Sequence, residues 1–387
     1  MKVLSLFDGI SCARVALERA GIPVEVYFAS EVDKYAILIS QKNYPDIIQL
    51  GDVKEIQTFD KNPFQIMIPV AGGYMGRNKG VYIGQIDILV GGSPCQDLSI
   101  AKKNRKGLDG ERSGLFWEYV RILREVKPHY FILENVASMP KEAKEIITKT
   151  LGVEPIMINA SLVSAQNRKR LFWVGKFNPL LKSYPLKYET VKISQPEDKG
   201  ILLKDMLESG DTDRLKSYCI DASYYKGTNW KQYIEKGRRQ LVKIGSIGKD
   251  SMGNRVYSTN GISKTLSANG GGWGAKTGLY AVKIVGRRIG DDGKRKDYDY
   301  SLKIKQRVEI NENPQKTNTL STVQKDNAIL DTNNFLVRKL TPIECERLQG
   351  LPDNYTEGIS NTQRYKCLGN AFNVDVIAHI LSFIKKS

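Results

Sequence analysis

Short apolar runs alternate with amphipathic stretches over the first 175 residues of the chain. Lys2–Phe7 is a brief apolar run closed by Asp8-Gly9, and Ala13–Ala20 follows with helical spacing as far as Gly21. Val24–Ser30 reads as a second strand, and Asp33–Asn43 as its helix, stopped ahead of Pro45. Ile47–Leu50 predicts a third strand ending at Gly51-Asp52, and the unbroken run Ile86–Val90 has the character of a buried strand. Within Phe116–Val126, residues Phe116, Val120 and Leu123 share one helical face. Tyr130–Leu133, Ile156–Ala160 and Leu171–Val174 supply further strands. Strands separated by helical stretches predict an α/β fold on a doubly wound, mostly parallel sheet.

Two regions break the rhythm. Residues 61–85 hold five glycines between the β-prone pieces Gln65–Val70 and Gly80–Ile83, a pattern that predicts a hairpin-like insertion. From 178 to 337 the chain turns rich in Lys, Tyr, Asn, Gly, Ser and Thr, with short β-prone pieces and weak helical periodicity. At Arg338 the pattern tightens, with Pro342 opening a helix and Ala371–Ile384 forming a closing one. The expectation is one α/β module at 1–177, completed by 338–387, with a smaller, mostly β module at 178–337 inserted into it.

Charge narrows the choice of partner. The 387 residues include 59 Lys or Arg against 42 Asp or Glu, a formal charge of +17. Such an excess favours a polyanion, whose condensed counterions are released on binding, or else marks a solvated basic surface. No apolar run approaches 18 residues, which argues against a membrane span, and Asp8 interrupts the N-terminal apolar run too early for a secretory signal. The five cysteines are scattered and form no CxxC pair, so neither a disulfide framework nor a zinc site is expected, nor any other metal. The cytoplasm is the expected compartment.

Candidate chemistry collects at predicted strand ends. Gly9 closes the first strand, where a missing side chain lets a ligand approach the backbone. Glu31 ends the second strand, where a carboxylate can accept hydrogen bonds from ribose hydroxyls, and Asp52 ends the third, within reach of an adenine amino group. Each acidic residue could also be an ordinary cap; the three together favour a nucleoside-containing cofactor. After the fourth strand comes GGSPCQDLS, placing Cys95 among Gly, Pro and polar residues. That setting suits an accessible thiol more than the small buried hydrophobe read for Cys12, Cys219, Cys345 and Cys367, and nearby positive charge would make Cys95 a nucleophile. Glu134, after the apolar Phe131-Ile132-Leu133, is either a strand-end cap or a carboxyl in a dry site. The basic run QNRKR precedes the last of these strands.

Taken in order, FDGIS, Glu31, GDV, GGSPCQDLS, ENV, QNRKR, RKLTPIECERLQGLP and GNAFNVDV resemble the motifs of the cytosine-5 DNA methyltransferases. The resemblance spans residues 1–176 and 338–387. FDGI, ASEVD and GGSPCxDLS are similar to the animal de novo branch, while the long middle module looks more like bacterial and phage enzymes. The resemblance implies a Rossmann-like methyltransferase that uses S-adenosyl-L-methionine, releases S-adenosyl-L-homocysteine, and methylates carbon 5 of cytosine in double-stranded DNA. Cys95 would attack carbon 6, Glu134 would protonate or hydrogen-bond ring nitrogen 3, and Arg168 and Arg170 would hold the cytosine carbonyl and Glu134. Reaching carbon 6 requires the base to be flipped out of the duplex.

The same resemblance assigns the cofactor to Phe7, Gly9, Ile10, Glu31, Val32, Asp52, Val53, Pro94 and Leu115, with Asn370 and Ala371 returning from the C-terminal segment. Gln96, Ser99, Lys102, Lys103 and Arg105 would meet DNA, the last four on a lid at Ser99–Ser113. In the middle module, matching the family's target recognition domain in position, two Thr-Leu pairs compete for the DNA contact: Thr265-Leu266 and Thr319-Leu320. Ala371 stands where many relatives have serine, and Ser11-Cys12 where many have glycine. The enzyme is expected to act as a monomer, with a restriction endonuclease as a possible partner. A tRNA methyltransferase of the same fold is the alternative, but the Cys-Phe-Thr tripeptide of that branch does not occur here. A dead regulatory relative would lack the nucleophile or cofactor residues.

Overall fold

The computed structural model describes residues 1–56, 65–68, 79–82, 85–93, 114–181, 186–227, 233, 236–246, 256–257, 279–280, 282–288, 304–310, 329–330 and 335–385. They divide into two compact units. One comprises Met1–Glu208, Arg214–Gly227 and Thr341–Ser387, the other Ser209–Asp213 and Thr228–Leu340. Residues 178–208 and 214–227, whose composition resembles the middle module, thus group with the first unit.

The first unit is built on an eight-stranded sheet. Its strands are β1 (Lys2–Leu6), β2 (Val26–Ser30), β3 (Ile48–Gln49), β6 (Ile88–Gly91), β7 (Tyr130–Val136), β8 (Pro155–Asn159), β9 (Lys169–Phe177) and β10 (Tyr188–Thr190); β4 (Gln65–Ile68) and β5 (Lys79–Tyr82) pair separately. Sheet order runs β3-β2-β1-β6-β7-β9-β10, with β8 also on β9. β3, β2, β1, β6 and β7 are mutually parallel, whereas β9 is antiparallel to β7, β8 and β10. The chain steps from β1 outward to β2 and β3, then returns to the other side of β1 as β6. This reversal opens a crevice at the carboxyl ends of β1 and β6, where open α/β sheets bind ligands. β4 and β5 form the antiparallel pair expected in the 61–85 insertion.

Helices cover both faces of the sheet, which is why its central strands read as unbroken apolar runs. Val3, Leu4 and Leu6 of β1, Ile88 and Leu89 of β6, and Phe131, Ile132 and Leu133 of β7 are fully buried. The helices are α1 (Cys12–Arg19), α2 (Lys34–Asn43), α3 (Leu115–Val126), α4 (Lys141–Leu151), α5 (Pro342–Leu348), α6 (Asn361–Asn370) and α7 (Val374–Lys385). α3 buries Phe116, Tyr119, Val120 and Leu123 on the face read from the sequence. α4 turns Ala143, Ile147 and Leu151 inward at four-residue spacing and ends on Gly152 in the left-handed region. Thr341 and Glu344 make a reciprocal capping box that starts α5 at Pro342, the expected position.

The closing helix expected over Ala371–Ile384 is α7, which starts three residues later, and a further helix, α6, precedes it. α6 ends at Asn370, residues 371–373 run outside helical geometry, and α7 begins at Val374. The stretch Asn361–Ile384 has the length and apolarity of a membrane span, but most of it is buried inside the protein. Ile377, Ile380, Leu381 and Ile384 are all within 2% of complete burial, and α7 packs against α1. Each such side chain contributes roughly 1.5–3 kcal/mol through the apolar surface it removes from water. The C-terminal segment is therefore held tightly against α1, the first helix of the chain.

In the second unit, Phe335–Lys339 pairs antiparallel with both Leu241–Ser246 and Ile329–Leu330. Val282–Arg288 pairs antiparallel with Ile304–Ile310, and Val256–Tyr257 pairs parallel with Leu279–Tyr280.

Candidate active site

The crevice at the switch point is a cavity of about 330 Å³, at the lower end of the range for small-molecule sites. Phe7, Gly9 and Ile10 line it from the loop after β1, Glu31 and Val32 from the end of β2, and Asp52 and Val53 from beyond β3. Leu115 enters from the start of α3, Asn370 and Ala371 from the end of α6, and Glu134, Arg168 and Arg170 from the β7–β9 side. The structure thus gathers in one cavity every described residue on which the sequence placed cofactor binding or catalysis. Pro94, Cys95, Gln96, Ser99, Lys102, Lys103, Arg105, Thr265, Leu266, Thr319 and Leu320 lie outside the described residues, as does the lid at 99–113.

The loop after β1 is bent sharply. Phe7, Gly9 and Ser11 all have φ near +60°, a conformation that costs Phe7 and Ser11 energy because of their Cβ atoms. Several bonds hold the loop there. Gly9 N–H donates to Oε2 of Glu31 at 2.8 Å, and the N–H groups of Val32 and Asp33 donate to its Oε1, each at 2.8 Å. The Glu31 carboxylate is therefore fixed by three backbone donors while it faces the cavity. A Cβ built at Gly9 would meet no atom within 4 Å, so the space above this turn is open to a ligand. Asp52 acts as a cap, its Oδ1 accepting from Lys54 N–H at 3.0 Å, and it also borders the cavity.

Strand register explains the opposite wall. Glu134 on β7 faces Phe172 on β9, so Arg170, two residues along, is its diagonal neighbour on the same face of the sheet. Arg170 Nε lies 2.8 Å from Glu134 Oε1, with both side chains largely buried. β7 continues to Val136, so Glu134 belongs to the strand; the expected end at Leu133 was three residues short. Next to it, Asn135 is buried and its amide donates to Ser93 Oγ at 3.2 Å, anchoring the backbone two residues before Cys95. Gly92 is required at this wall: a Cβ there would lie 2.7 Å from the Phe372 ring and 3.2 Å from Glu134 Oε2.

Arg168 borders the same cavity but makes its hydrogen bonds within the protein. It is 4% exposed. Its Nη1 donates to Ile220 O at 3.1 Å and Cys219 Sγ at 3.4 Å; its Nη2 donates to Ala371 O at 2.7 Å and Gly369 O at 3.3 Å. Burial, followed by the nearby charge of Arg170, draws its pKa below the usual guanidinium range. The donors of Arg168 thus tie β9 to the 219–220 segment and to the Gly369–Ala371 turn, whereas Arg170 alone of the two holds Glu134.

Two cavity residues, Asp8 and Lys366, and one residue behind the loop, Tyr355, were assigned no role from the sequence. Asp8 lines the cavity, 5% exposed, accepting from Tyr27 Oη at 2.7 Å and Ser11 Oγ at 2.5 Å. Lys366, on the rim, is 2.8 Å from Asp33 Oδ2. Tyr355 Oη donates to Ile10 O at 2.8 Å, steadying the loop after β1 from the C-terminal segment. Of the three, only Asp8 had a signal in the sequence, standing within FDGIS at the end of an apolar run.

A family model described as C-5 cytosine-specific DNA methylase matches residues 1–386. The type II methyltransferase M.HhaI of Haemophilus parahaemolyticus is 28% identical, over 98% of this chain and 93% of its own. The orphan methyltransferase M.SPRI of Bacillus phage SPR is 26% identical, over 98% and 96% respectively. Among solved structures, the Entamoeba histolytica methyltransferase EhMeth superposes with a TM-score of 0.54 at 15% identity, covering 100% of this chain and 98% of that one. The Dnmt2 methyltransferase of S. pombe gives 0.50 at 15% identity, with the same coverage. These two structures share the fold.

Proposed function

The chain belongs to the C-5 cytosine-specific DNA methylase family and is a DNA cytosine-5 methyltransferase, and from that premise we propose that it methylates cytosine in specific duplex sequences through a covalent Cys95 adduct, with S-adenosyl-L-methionine as donor. The observation that carries this reading is the Glu134–Arg170 pair sharing one cavity with Glu31. A nucleoside-type ligand and a reacting base would both find partners there.

The cavity suits the donor. Glu31, fixed by three backbone N–H groups, has oxygens placed to accept from two ribose hydroxyls. Asp52 would meet the adenine amino group, Val32 and Val53 its faces, and the backbone at Gly9, Asn370 and Ala371 the amino-acid end. Bound there, the donor supplies an electrophilic methyl group on a sulfonium.

The remaining steps belong to protein side chains. Cys95 thiolate would add to carbon 6 of the flipped base, its electron pair forming the new bond while the ring π electrons move toward carbon 5. Glu134 would hydrogen-bond or protonate ring nitrogen 3, so that negative charge does not accumulate on the ring. Arg170 would hold Glu134 in the required orientation and place positive charge beside the cytosine carbonyl. After carbon 5 is methylated, loss of its proton and departure of Cys95 as thiolate would restore the aromatic ring. Arg168 would act on the site through the Gly369–Ala371 turn.

Residues 178–337 would supply target recognition, with either Thr265-Leu266 or Thr319-Leu320 at the opened base pair. Basic residues of the lid and this segment would grip phosphates and fix register on the duplex. Bisulfite or long-read sequencing of DNA from cells expressing the protein tests the proposal. Methylated cytosines at one recurring sequence are expected with the wild type and none with Cys95→Ala. Methylation retained in that variant, or methyl transfer into tRNA in preference to duplex DNA, would overturn it.

A further inference from the structure

Five carboxylates border the cavity: Asp8, Glu31, Asp33, Asp52 and Glu134. Two of them have a cationic partner, Asp33 in Lys366 and Glu134 in Arg170. Glu31 and Asp52 accept from backbone N–H groups at the cavity edge. Asp8 differs in being deeply buried with neutral partners, the hydroxyls of Tyr27 and Ser11. Behind Ser11 the chain of donors continues: Ser11 Oγ is 2.6 Å from Ser40 Oγ, and Gln49 Nε2 donates to Ser40 Oγ at 3.3 Å. When Asp8 is ionised, this chain can point its hydrogens at the carboxylate from Gln49 inward.

The groups that act on Asp8 are neutral or acidic. Ser5 comes from β1, Tyr27 and Glu31 from β2 and its end, Ser11 and Cys12 from the start of α1, and Tyr355 from the C-terminal segment. The guanidinium of Arg168, which bears on the neighbouring Cys12, spends its hydrogen bonds on Cys219 and on carbonyl groups. Burial, with Glu31 adding to it, pushes the Asp8 pKa up to about 6. A buried carboxylate without a countercharge is costly in the empty cavity and is relieved by a cation entering it.

We propose that Asp8 is a specificity residue that favours the positively charged methyl donor over its neutral demethylated product. This rests on the reading of the cavity as the S-adenosylmethionine site. Donor and product differ by the sulfonium charge, so a negative charge beneath the cofactor loop acts on one and hardly on the other. Two unit charges about 10 Å apart at an effective dielectric near 20 alter binding by roughly tenfold. The sulfonium would hold Asp8 in its ionised form, and the charge lost with the methyl group would ease release of the product.

Isothermal titration calorimetry with S-adenosylmethionine and S-adenosylhomocysteine, between pH 5 and 7 and in buffers of different ionisation heat, tests this. Neither His129 nor His379 borders the cavity, and Asp8→Asn separates the part due to Asp8 from that of the other four carboxylates. For the wild type, the ratio of product Kd to donor Kd is expected to rise roughly fivefold from pH 5 to pH 7. Donor binding near pH 6 should also release protons, and product binding should release fewer. In Asp8→Asn the ratio should stay flat at its low-pH value and the extra proton release should vanish. A flat ratio in the wild type, or a variant that keeps both signatures, overturns the role of Asp8. If neither compound binds the wild type, the cofactor reading itself fails and this inference with it. Should Asp8→Asn fail to fold, the wild-type ratio and proton release decide the matter alone.

Discussion

Arg170 Nε sits 2.8 Å from Glu134 Oε1, a contact between diagonal neighbours on two antiparallel strands at the cavity wall. The guanidinium grips the carboxylate through the geometry of its planar fork, which an ammonium cannot reproduce. Arg170→Lys is expected to lower the single-turnover methylation rate by about 10²-fold, and Glu134→Gln by 10²- to 10⁴-fold. Cofactor Kd, measured in parallel, should change little in either variant.

Arg168 should behave otherwise. Its removal leaves the carbonyls of Ile220, Gly369 and Ala371 without that donor in a buried setting. Each unsatisfied group costs about 1–3 kcal/mol. Arg168→Met is therefore expected to lose at least about 3 kcal/mol in urea unfolding, and to weaken cofactor binding because the Gly369–Ala371 turn is released. An intact unfolding midpoint with a purely catalytic defect would contradict the assignment.

Glu31→Ala removes the acceptor of three backbone N–H groups as well as the proposed ribose partner. Donor and product should both bind more weakly, by on the order of 100-fold, since a charge-assisted hydrogen bond contributes about 1.5–3 kcal/mol. Equilibrium binding of the two compounds should show equal losses, in contrast to the unequal losses expected on changing Asp8.

Gly369 admits no side chain. A Cβ there would lie 2.2 Å from the carbonyl carbon of Asp221 and 2.3 Å from Ala222 N, both backbone atoms. Gly369→Ala must displace the 219–222 segment and with it the carbonyl of Ile220 that Arg168 holds. A loss of more than about 2 kcal/mol is expected in thermal or urea unfolding.

Stability should also report the burial of Asp8. Its pKa rises on folding from 3.8 to about 6, so the folded state holds the proton more tightly than the unfolded chain. The stabilisation this gives is full below about pH 4 and is lost as pH rises through 6, a change of up to about 3 kcal/mol. Asp8→Asn should lack this component, which a comparison of urea midpoints at pH 4 and pH 7 would reveal.

Much of the site could be read from the sequence because its residues sit at strand ends, where an apolar run stops and a polar side chain begins. Gly9, Glu31 and Asp52 announce themselves in this way, and their convergence follows from parallel strands sharing one carboxyl edge. Arg168 and Arg170 could not be told apart, since two arginines at a spacing of two share a face and only the bonds around each separate their roles. α6 was missed for a related reason. Its polar run NTQRYKCLGN turns residues such as Lys366 and Asn370 toward a cavity, and this blurs the apolar period that marks a helix. The closing helix begins at Val374 because Ala371 and Phe372 are drawn into the cavity wall.

The cavity is closed by residues from both ends of the sequence: the loop after β1, and the turn that follows α6. Between them in the chain lies the whole of the second unit. A ribosome that has finished β1 must therefore still translate more than three hundred residues before the last wall is made. Nascent chains arrested earlier would carry the strands, the Glu134–Arg170 pair and the insertion, yet present an open trough where cofactor should be enclosed. Cofactor capture thus becomes a late event in biosynthesis, and a pulse-labelled chain should acquire cofactor-dependent protease resistance only after residue 372 has emerged.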